Sequence, residues 1–342
     1  MDELKNQFHQ LFPNSYFLDT NLQGISQFLL SKGWLEEGES LDMVEKPGEG
    51  NMNYVLRVRT NKRSFILKQA RPWVEKYPQI AAPVERNQVE ATYFQEVAYD
   101  PFLRKYSPEL ICMSPEHFMM MLGDLGEGVD YMSLYTSAGK ISEDELKEVI
   151  RYLGSLHQIS GTEYPDNQAM RVLNHEHIFH FPFQEDNGLD LNTISAGLQE
   201  ASLNYRNNAP LKEKITHLGE KYLSRGNALV HGDFYPGSWL KTSEGLKVID
   251  PEFSFPGMPE FDLGVLVAHM VLSEQDQSVI HQIPGWYASA TKLDESLMCG
   301  FAGTEILRRI LGVAQLPLDA DLSARISMME LAEKWIMTGK LN

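Results

Sequence analysis

The stretch Ala228-Leu229-Val230-His231-Gly232-Asp233-Phe234-Tyr235-Pro236-Gly237-Ser238, followed after a turn-rich segment around Gly245 by Val248-Ile249-Asp250-Pro251-Glu252, decides how the chain is read. Two apolar runs each end in a carboxylate. A strand that stops at His-Gly-Asp lifts Asp233 out of the core into a loop, and a second strand delivers Asp250 and Glu252 to the same edge. Two short antiparallel strands carrying acids side by side would hold a proton acceptor next to a divalent cation. Taken singly, Asp233 and Asp250 also read as turn residues at strand ends. The motifs upstream favour chemistry.

Ser64-Phe65-Ile66-Leu67-Lys68-Gln69 alternates as a strand, with Lys68 on the face of Ser64 and Ile66. A lysine inside an apolar strand is costly to desolvate without a partner. A helix expected from Val84 to Ala98 supplies one. At the helical period Glu90 falls on the stripe of Tyr93, Phe94 and Val97, whereas Glu96 points away. Before that strand, Pro47-Gly48-Glu49-Gly50-Asn51-Met52-Asn53 is a turn-rich loop leading into Tyr54–Arg59. It fails as a dinucleotide fingerprint, because Asn53 replaces the third glycine and a strand follows. It also lacks the Gly-Lys-Ser/Thr of a Walker A loop. A small-residue loop between strands can lie over phosphates; from the residues alone, a plain hairpin turn is an equal reading.

His231-Gly232-Asp233 with Ile249-Asp250-Pro251-Glu252-Phe253 resembles the aminoglycoside phosphotransferase superfamily of small-molecule kinases. His-Gly-Asp-x-x-x-Gly-Ser with Asp-Pro-Glu-Phe is similar to its methylthioribose kinase branch, as is the Gly-Glu-Gly-Asn-Met-Asn wording of the loop. The resemblance implies an α+β, bilobal, protein-kinase-like fold. An antiparallel-sheet N-terminal lobe would span 1–122 and a mostly helical C-terminal lobe 123–342. It implies transfer of the ATP γ-phosphoryl group to a hydroxyl of a small acceptor. Asp233 would accept or orient the hydroxyl proton, and Asp250 and Glu252 would hold Mg²⁺. Ser238 stands where the wider superfamily has its metal-binding asparagine, which would make it a catalytic residue near the Mg²⁺. Lys68, braced by Glu90, would hold phosphates under a flap containing Gly50, Asn51 and Asn53, and Asp124 and Leu125 would lie at the hinge beside the adenine.

The branch also has an arginine pair in a late helix that contacts the sugar, here Arg308 and Arg309. From spacing, Gly303–Gly312 buries Ile306, Leu307 and Ile310 and leaves both arginines on the polar side, where Glu305 makes a surface charge cluster an equal reading. Where these kinases usually have Leu-His-Thr after the catalytic aspartate, this chain has Phe234-Tyr235-Pro236, with Tyr235 facing the acceptor. The preferred acceptor is methylthioribose or a related sugar. An aminoglycoside or amino-alcohol phosphotransferase is the alternative, and a nucleotide-binding regulator with weak catalysis a second one.

The bulk properties agree with a soluble small-molecule enzyme. At 342 residues the chain is long enough for two lobes. A formal net charge of −17 argues against nucleic-acid and anionic-membrane partners. Two cysteines, Cys112 and Cys299, suit a reducing compartment. The opening residues show no signal-peptide pattern and no apolar run is long enough to span a bilayer, so a cytoplasmic setting is expected. A small-molecule acceptor is the expected partner, with a homodimer left open. Residues 1–46 are expected to be helical apart from a break at Pro13-Asn14 and a solvated loop at Glu36–Glu39. Helices are expected over 144–157, 198–223 and 261–270, with an irregular segment at 161–191 that a compact lobe would use functionally. The spacing of His175, His177 and His180 does not fit a zinc motif. Asp262 reads as a helix cap; the resemblance makes it a brace for the catalytic loop.

Overall fold

The computed structural model describes residues 2–48, 52–136, 139–287 and 292–341, within two compact units, Met1–Gly128 and Val129–Asn342. The first is built on a five-stranded antiparallel sheet in the order Leu41–Glu45, Tyr54–Thr60, Ser64–Gln69, Met119–Gly123, Leu110–Ser114. The strand carrying Lys68 is therefore central, and in register Lys68 lies between Val55 and Met120.

Period-two alternation gives this sheet two working faces. Leu56, Val58, Phe65, Leu67, Met119 and Met121 form one core with Leu18, Ile25, Phe28 and Leu29 from the leading segment. Fully burying side chains of this size contributes about 1.5–3 kcal/mol each. The helix Arg86–Tyr99 brings Glu90 to Lys68, whose strand neighbours Phe65 and Leu67 point into the core with the leading helices. The leading segment forms two helices, Asp2–Leu11 and Leu22–Ser31, the second capped by the Asn21 side chain accepting from the Gly24 N–H.

Two expectations for this region change. Leu41–Glu45 is an edge strand, not helix: pairing with Tyr54–Thr60 satisfies its backbone and makes Pro47–Asn53 the connection between two strands. Glu39 is buried, because its carboxylate accepts from Arg63 Nε at 2.9 Å and Thr60 Oγ1 at 2.8 Å. The first compact unit runs to Gly128 and so includes Asp124 and Leu125.

The second unit is mostly helical around Glu295–Leu311, which packs against both Pro259–Leu272 and Leu322–Thr338. Every residue from Met298 to Leu311 is buried, as is every residue from Glu260 to Leu272. Helices covered on all sides do not show a one-sided apolar stripe. The expected 198–223 helix is two, Leu198–Arg206 and Ala209–Leu223, divided at Asn207-Asn208, where the Asn208 side chain caps the second. The 161–191 segment contains a helix, Gln168–His175, that runs into a π-helical turn at Glu176–His180. Among the described residues, no helix is long and apolar enough to cross a membrane.

Arg86 went unread in the sequence. It is fully buried at the start of its helix. Its guanidinium donates to Asn53 Oδ1 at 2.9 Å and to the carbonyls of Met52, Arg71 and Pro83 at 3.0, 2.9 and 2.6 Å. One cation thus ties the end of the Pro47–Asn53 loop to the helix. Arg86→Lys keeps the charge but loses the planar fork. It is expected to lower the unfolding free energy by at least about 2 kcal/mol in urea titrations.

Candidate active site

In the first unit, Lys68 Nζ lies 2.6 Å from Glu90 Oε1, with the two side chains 4% and 1% exposed. The pairing expected from strand and helix periodicity is present. Asn53 is buried against Arg86, whereas Gly50 and Asn51 lie outside the described residues. Asp124 is held by its own unit: Oδ2 faces Arg57 Nε at 3.0 Å and accepts from Ser64 Oγ, and Oδ1 accepts from the Gly126 N–H at 3.0 Å. Its carboxylate is a structural anchor, leaving the backbone of Asp124 and Leu125 as the part that could meet a base edge.

In the second unit, Ala228–Val230 pairs with Phe255–Gly257, and Gly245–Val248 with Trp239–Thr242. The two acid-bearing strands do not pair with each other, which corrects the expectation of neighbouring strands. They are joined instead by one side chain and a backbone bridge. His231 Nε2 donates to the Ile249 carbonyl at 3.1 Å. The Ser238 backbone carbonyl accepts from the Ile249 N–H at 3.0 Å, and the Ser238 hydroxyl donates to the Asp233 carbonyl at 2.9 Å.

Gly232 is required at its position. Its φ is +84°, and a Cβ there would sit 2.1 Å from the Phe253 carbonyl oxygen. That turn takes the His231 and Gly232 N–H groups out of the strand ladder, and the fully buried Asp262 carboxylate accepts both, at 2.6 and 3.0 Å. His157 Nε2 completes the set at 3.1 Å from Asp262 Oδ2, while its Nδ1 pairs with Tyr287 Oη at 2.7 Å. Asp262 therefore braces the loop bearing Asp233, and His157 orients Asp262.

Phe234 explains the unusual residues after Asp233. Its ring is fully buried, parallel to Tyr152 with centroids 5.9 Å apart and 5.3 Å from Trp239. Phe234 and Pro236 serve packing, and Tyr235 is the half-buried member. It covers Arg309, whose guanidinium carbon is 4.8 Å from the ring centroid.

The arginine pair is not on a polar face. Arg308 and Arg309 are each 6% exposed and Glu305 1%, which overturns both the surface cluster and the polar-side placement. Glu305 Oε2 accepts from Arg308 Nε at 2.5 Å and Oε1 from Arg309 Nε at 2.7 Å. The outer nitrogens reach toward the catalytic loop: Arg309 Nη2 is 3.5 Å and Arg308 Nη2 3.7 Å from Asp233 Oδ1. Burial pushes the Asp233 carboxyl above its ordinary range, against the pull of both guanidinium groups. His269 was also missed. Its Nε2 lies 3.1 Å from Glu305 Oε1, and its Nδ1 pairs with Tyr135 Oη. A single histidine within Leu263–Leu272 was a readable signal, since a buried polar ring needs partners.

Asp250 ends its strand with φ +60° and ψ +50°, a left-handed conformation that aspartate tolerates, and is exposed. Glu252 follows in a short 3₁₀ turn, 5% exposed, its carbonyl receiving Asn167 Nδ2 at 3.0 Å. Two hard oxygen donors two residues apart fit Mg²⁺ shared with phosphate oxygens better than a closed all-protein cage.

The Lys68–Glu90 pair gives a direct test. Removing either partner takes a 2.6 Å ion pair from a buried charge, so Lys68→Met and Glu90→Gln should each destabilise the chain. The double variant should lose less than the sum, with a coupling of about 1–3 kcal/mol in a denaturation cycle.

The chain matches the model of the phosphotransferase enzyme family over residues 44–295. A methylthioribose kinase of Exiguobacterium sibiricum is 29% identical over 330 residues, covering 82% of this chain and 81% of that one. A methylthioribose kinase of Bacillus cereus is 26% identical over 340 residues, covering 84% and 83%. Among solved structures, a spectinomycin phosphotransferase in complex with ADP and spectinomycin superposes with a TM-score of 0.54 at 12% identity, covering 94% of this chain and 98% of that one. A microcompartment-associated aminopropanol kinase gives 0.52 at 18% identity, covering 93% and 98%. These two likenesses establish the fold, that of small-molecule kinases with an antiparallel-sheet unit and a helical unit. With the family match spanning both acid-bearing motifs, His231–Asp233 and Asp250–Glu252, the chain belongs to the phosphotransferase enzyme family.

Proposed function

We propose that the protein transfers the γ-phosphoryl group of ATP to a hydroxyl of a small neutral sugar, methylthioribose or a close relative. The observation that carries this reading is the buried Arg308–Arg309 pair within 3.7 Å of Asp233. Guanidinium donors fixed beside a carboxylate suit a polyhydroxylated neutral ring. They give a polycationic acceptor no net attraction, because Glu305 and Asp233 only balance the two guanidinium charges. The names of the relatives agree with this acceptor.

In the reaction the acceptor oxygen attacks the γ-phosphorus, the bond to the ADP oxygen breaks, and the hydroxyl proton passes to Asp233. Asp262 and Ser238 hold the loop so that the Asp233 carboxylate meets that proton. Arg308 and Arg309 orient the acceptor, Tyr235 covers it, and Lys68, positioned by Glu90, holds nucleotide phosphate. Asp250 and Glu252 would hold Mg²⁺, which supplies charge neutralisation on the phosphates. Most of the rate enhancement then comes from positioning and electrostatics. A cytoplasmic setting belongs to the same proposal and is supported by two free thiols, Cys112 and Cys299.

Turnover of purified protein with ATP, Mg²⁺ and a panel of thiosugars, aminoglycosides and amino alcohols tests the reading. Thiosugar turnover is expected; phosphorylation of aminoglycosides alone would overturn the acceptor while leaving the kinase class intact. Asp233→Asn should lower kcat by about 10²–10⁴-fold with ATP binding retained. The base works ionised, so activity should fall as pH drops through its raised pKa. The acid limb of kcat/KM therefore lies above the ordinary aspartate range. Arg308→Ala or Arg309→Ala should raise the acceptor KM or lower kcat, and because both are buried should also cost about 3 kcal/mol of stability.

A further inference from the structure

We propose that Glu305 is a positioning residue that holds the Arg308 and Arg309 guanidinium groups back from Asp233, leaving that carboxylate's lone pairs available to the acceptor hydroxyl. The proposal rests on the reading of Asp233 as the proton acceptor. Two sets of distances carry it. Both arginine Nε atoms are committed to Glu305, at 2.5 and 2.7 Å. The Nη2 atoms facing Asp233 stop at 3.7 and 3.5 Å, about 0.6–0.8 Å longer than a full charge-assisted hydrogen bond. The same side chains are thus tightly bonded at one end and weakly at the other, where Arg309 makes one long hydrogen bond to Asp233 and Arg308 makes none.

The arrangement is built into one helix. Glu305 lies three and four residues before its two arginines, so all three share one face. A second helix fixes the glutamate from outside: His269, fully buried, points Nε2 at Glu305 Oε1 at 3.1 Å. Tyr135 Oη pairs with the other ring nitrogen, so the ring donates to Glu305 through Nε2 and accepts from the phenol. Burial lowers the His269 pKa to about 4, so near neutral pH the ring acts as a neutral donor and brings no charge of its own.

The charge count explains why the glutamate is needed. Two carboxylates, Glu305 and Asp233, face two guanidinium groups, so the buried cluster is neutral when Asp233 is ionised. Without the Glu305 charge, two buried cations would have one carboxylate between them. Buried charges close on whatever partner remains. Asp233 would then be drawn into direct ion pairs, and its oxygens would be spent on guanidinium N–H groups instead of the substrate proton.

The isosteric Glu305→Gln variant tests this by structure and by kinetics. Its crystal structure should show an arginine Nη2 closing on Asp233 to about 2.8 Å. This readout needs no acceptor, so it decides the proposal even if the sugar reading fails. At saturating substrates kcat should fall about 100-fold while the KM for ATP holds. Adding Arg308→Met restores the charge balance and should recover kcat about tenfold, with a raised acceptor KM. A merely structural glutamate would give additive losses in that double variant. Unchanged arginine–Asp233 distances, kcat within about threefold of the parent, or a double variant no better than the single one would each overturn the proposal. Should Glu305→Gln fail to fold, Tyr135→Phe loosens His269 while keeping every charge. It should lower kcat about three- to tenfold at unchanged ATP KM, and a parental kcat would overturn the proposal.

Discussion

The catalytic loop depends on one buried carboxylate. Gly232 turns the chain with a positive φ, so the strand that began at Ala228 cannot continue its ladder. Two backbone N–H groups are left in the buried interior, where an unmet donor costs about 1–3 kcal/mol. Asp262 accepts both, and His157 from a third element holds Asp262 in turn. The position of Asp233 is therefore set by residues that are distant in sequence. Such rigidity suits a reaction in which the protein contributes mainly geometry.

A second constraint is electrostatic. The Glu295–Leu311 helix is buried along nearly its whole length, yet carries three charged residues in its last two turns. Buried ion clusters are a poor source of stability, because desolvation offsets most of the Coulomb attraction. This cluster opens on Asp233, and Tyr235 lies over Arg309.

Much of the fold was legible because its signals are local. Alternation placed Lys68 on its strand, helical period placed Glu90 opposite, and the motif at His231–Asp233 placed the turn. The Arg308–Arg309 environment was misread because amphipathicity assumes one wet face, and this helix has none. The pairing of the acid-bearing strands was misread for another reason. Two short strands separated by a hairpin suggest each other as partners, whereas Phe255–Gly257, from beyond the second motif, takes the ladder of Ala228–Val230. Arg86 and His269 escaped notice because their partners are backbone carbonyls and residues far along the chain. The Leu41–Glu45 strand lacks the alternation of a half-buried strand, since it sits at the sheet edge with Asp42 and Met43 exposed.

The three residues after Asp233 bear on how such a scaffold can diversify. Phe234 is wedged between Tyr152 and Trp239, and Pro236 is buried in the turn leading to Ser238. Change at either is transmitted to the core and, through Ser238, back to Asp233. Tyr235 alone of the three is partly exposed, resting on Arg309 and His269. In a directed-evolution campaign it is therefore the one of the three that can be varied at the lowest risk to folding.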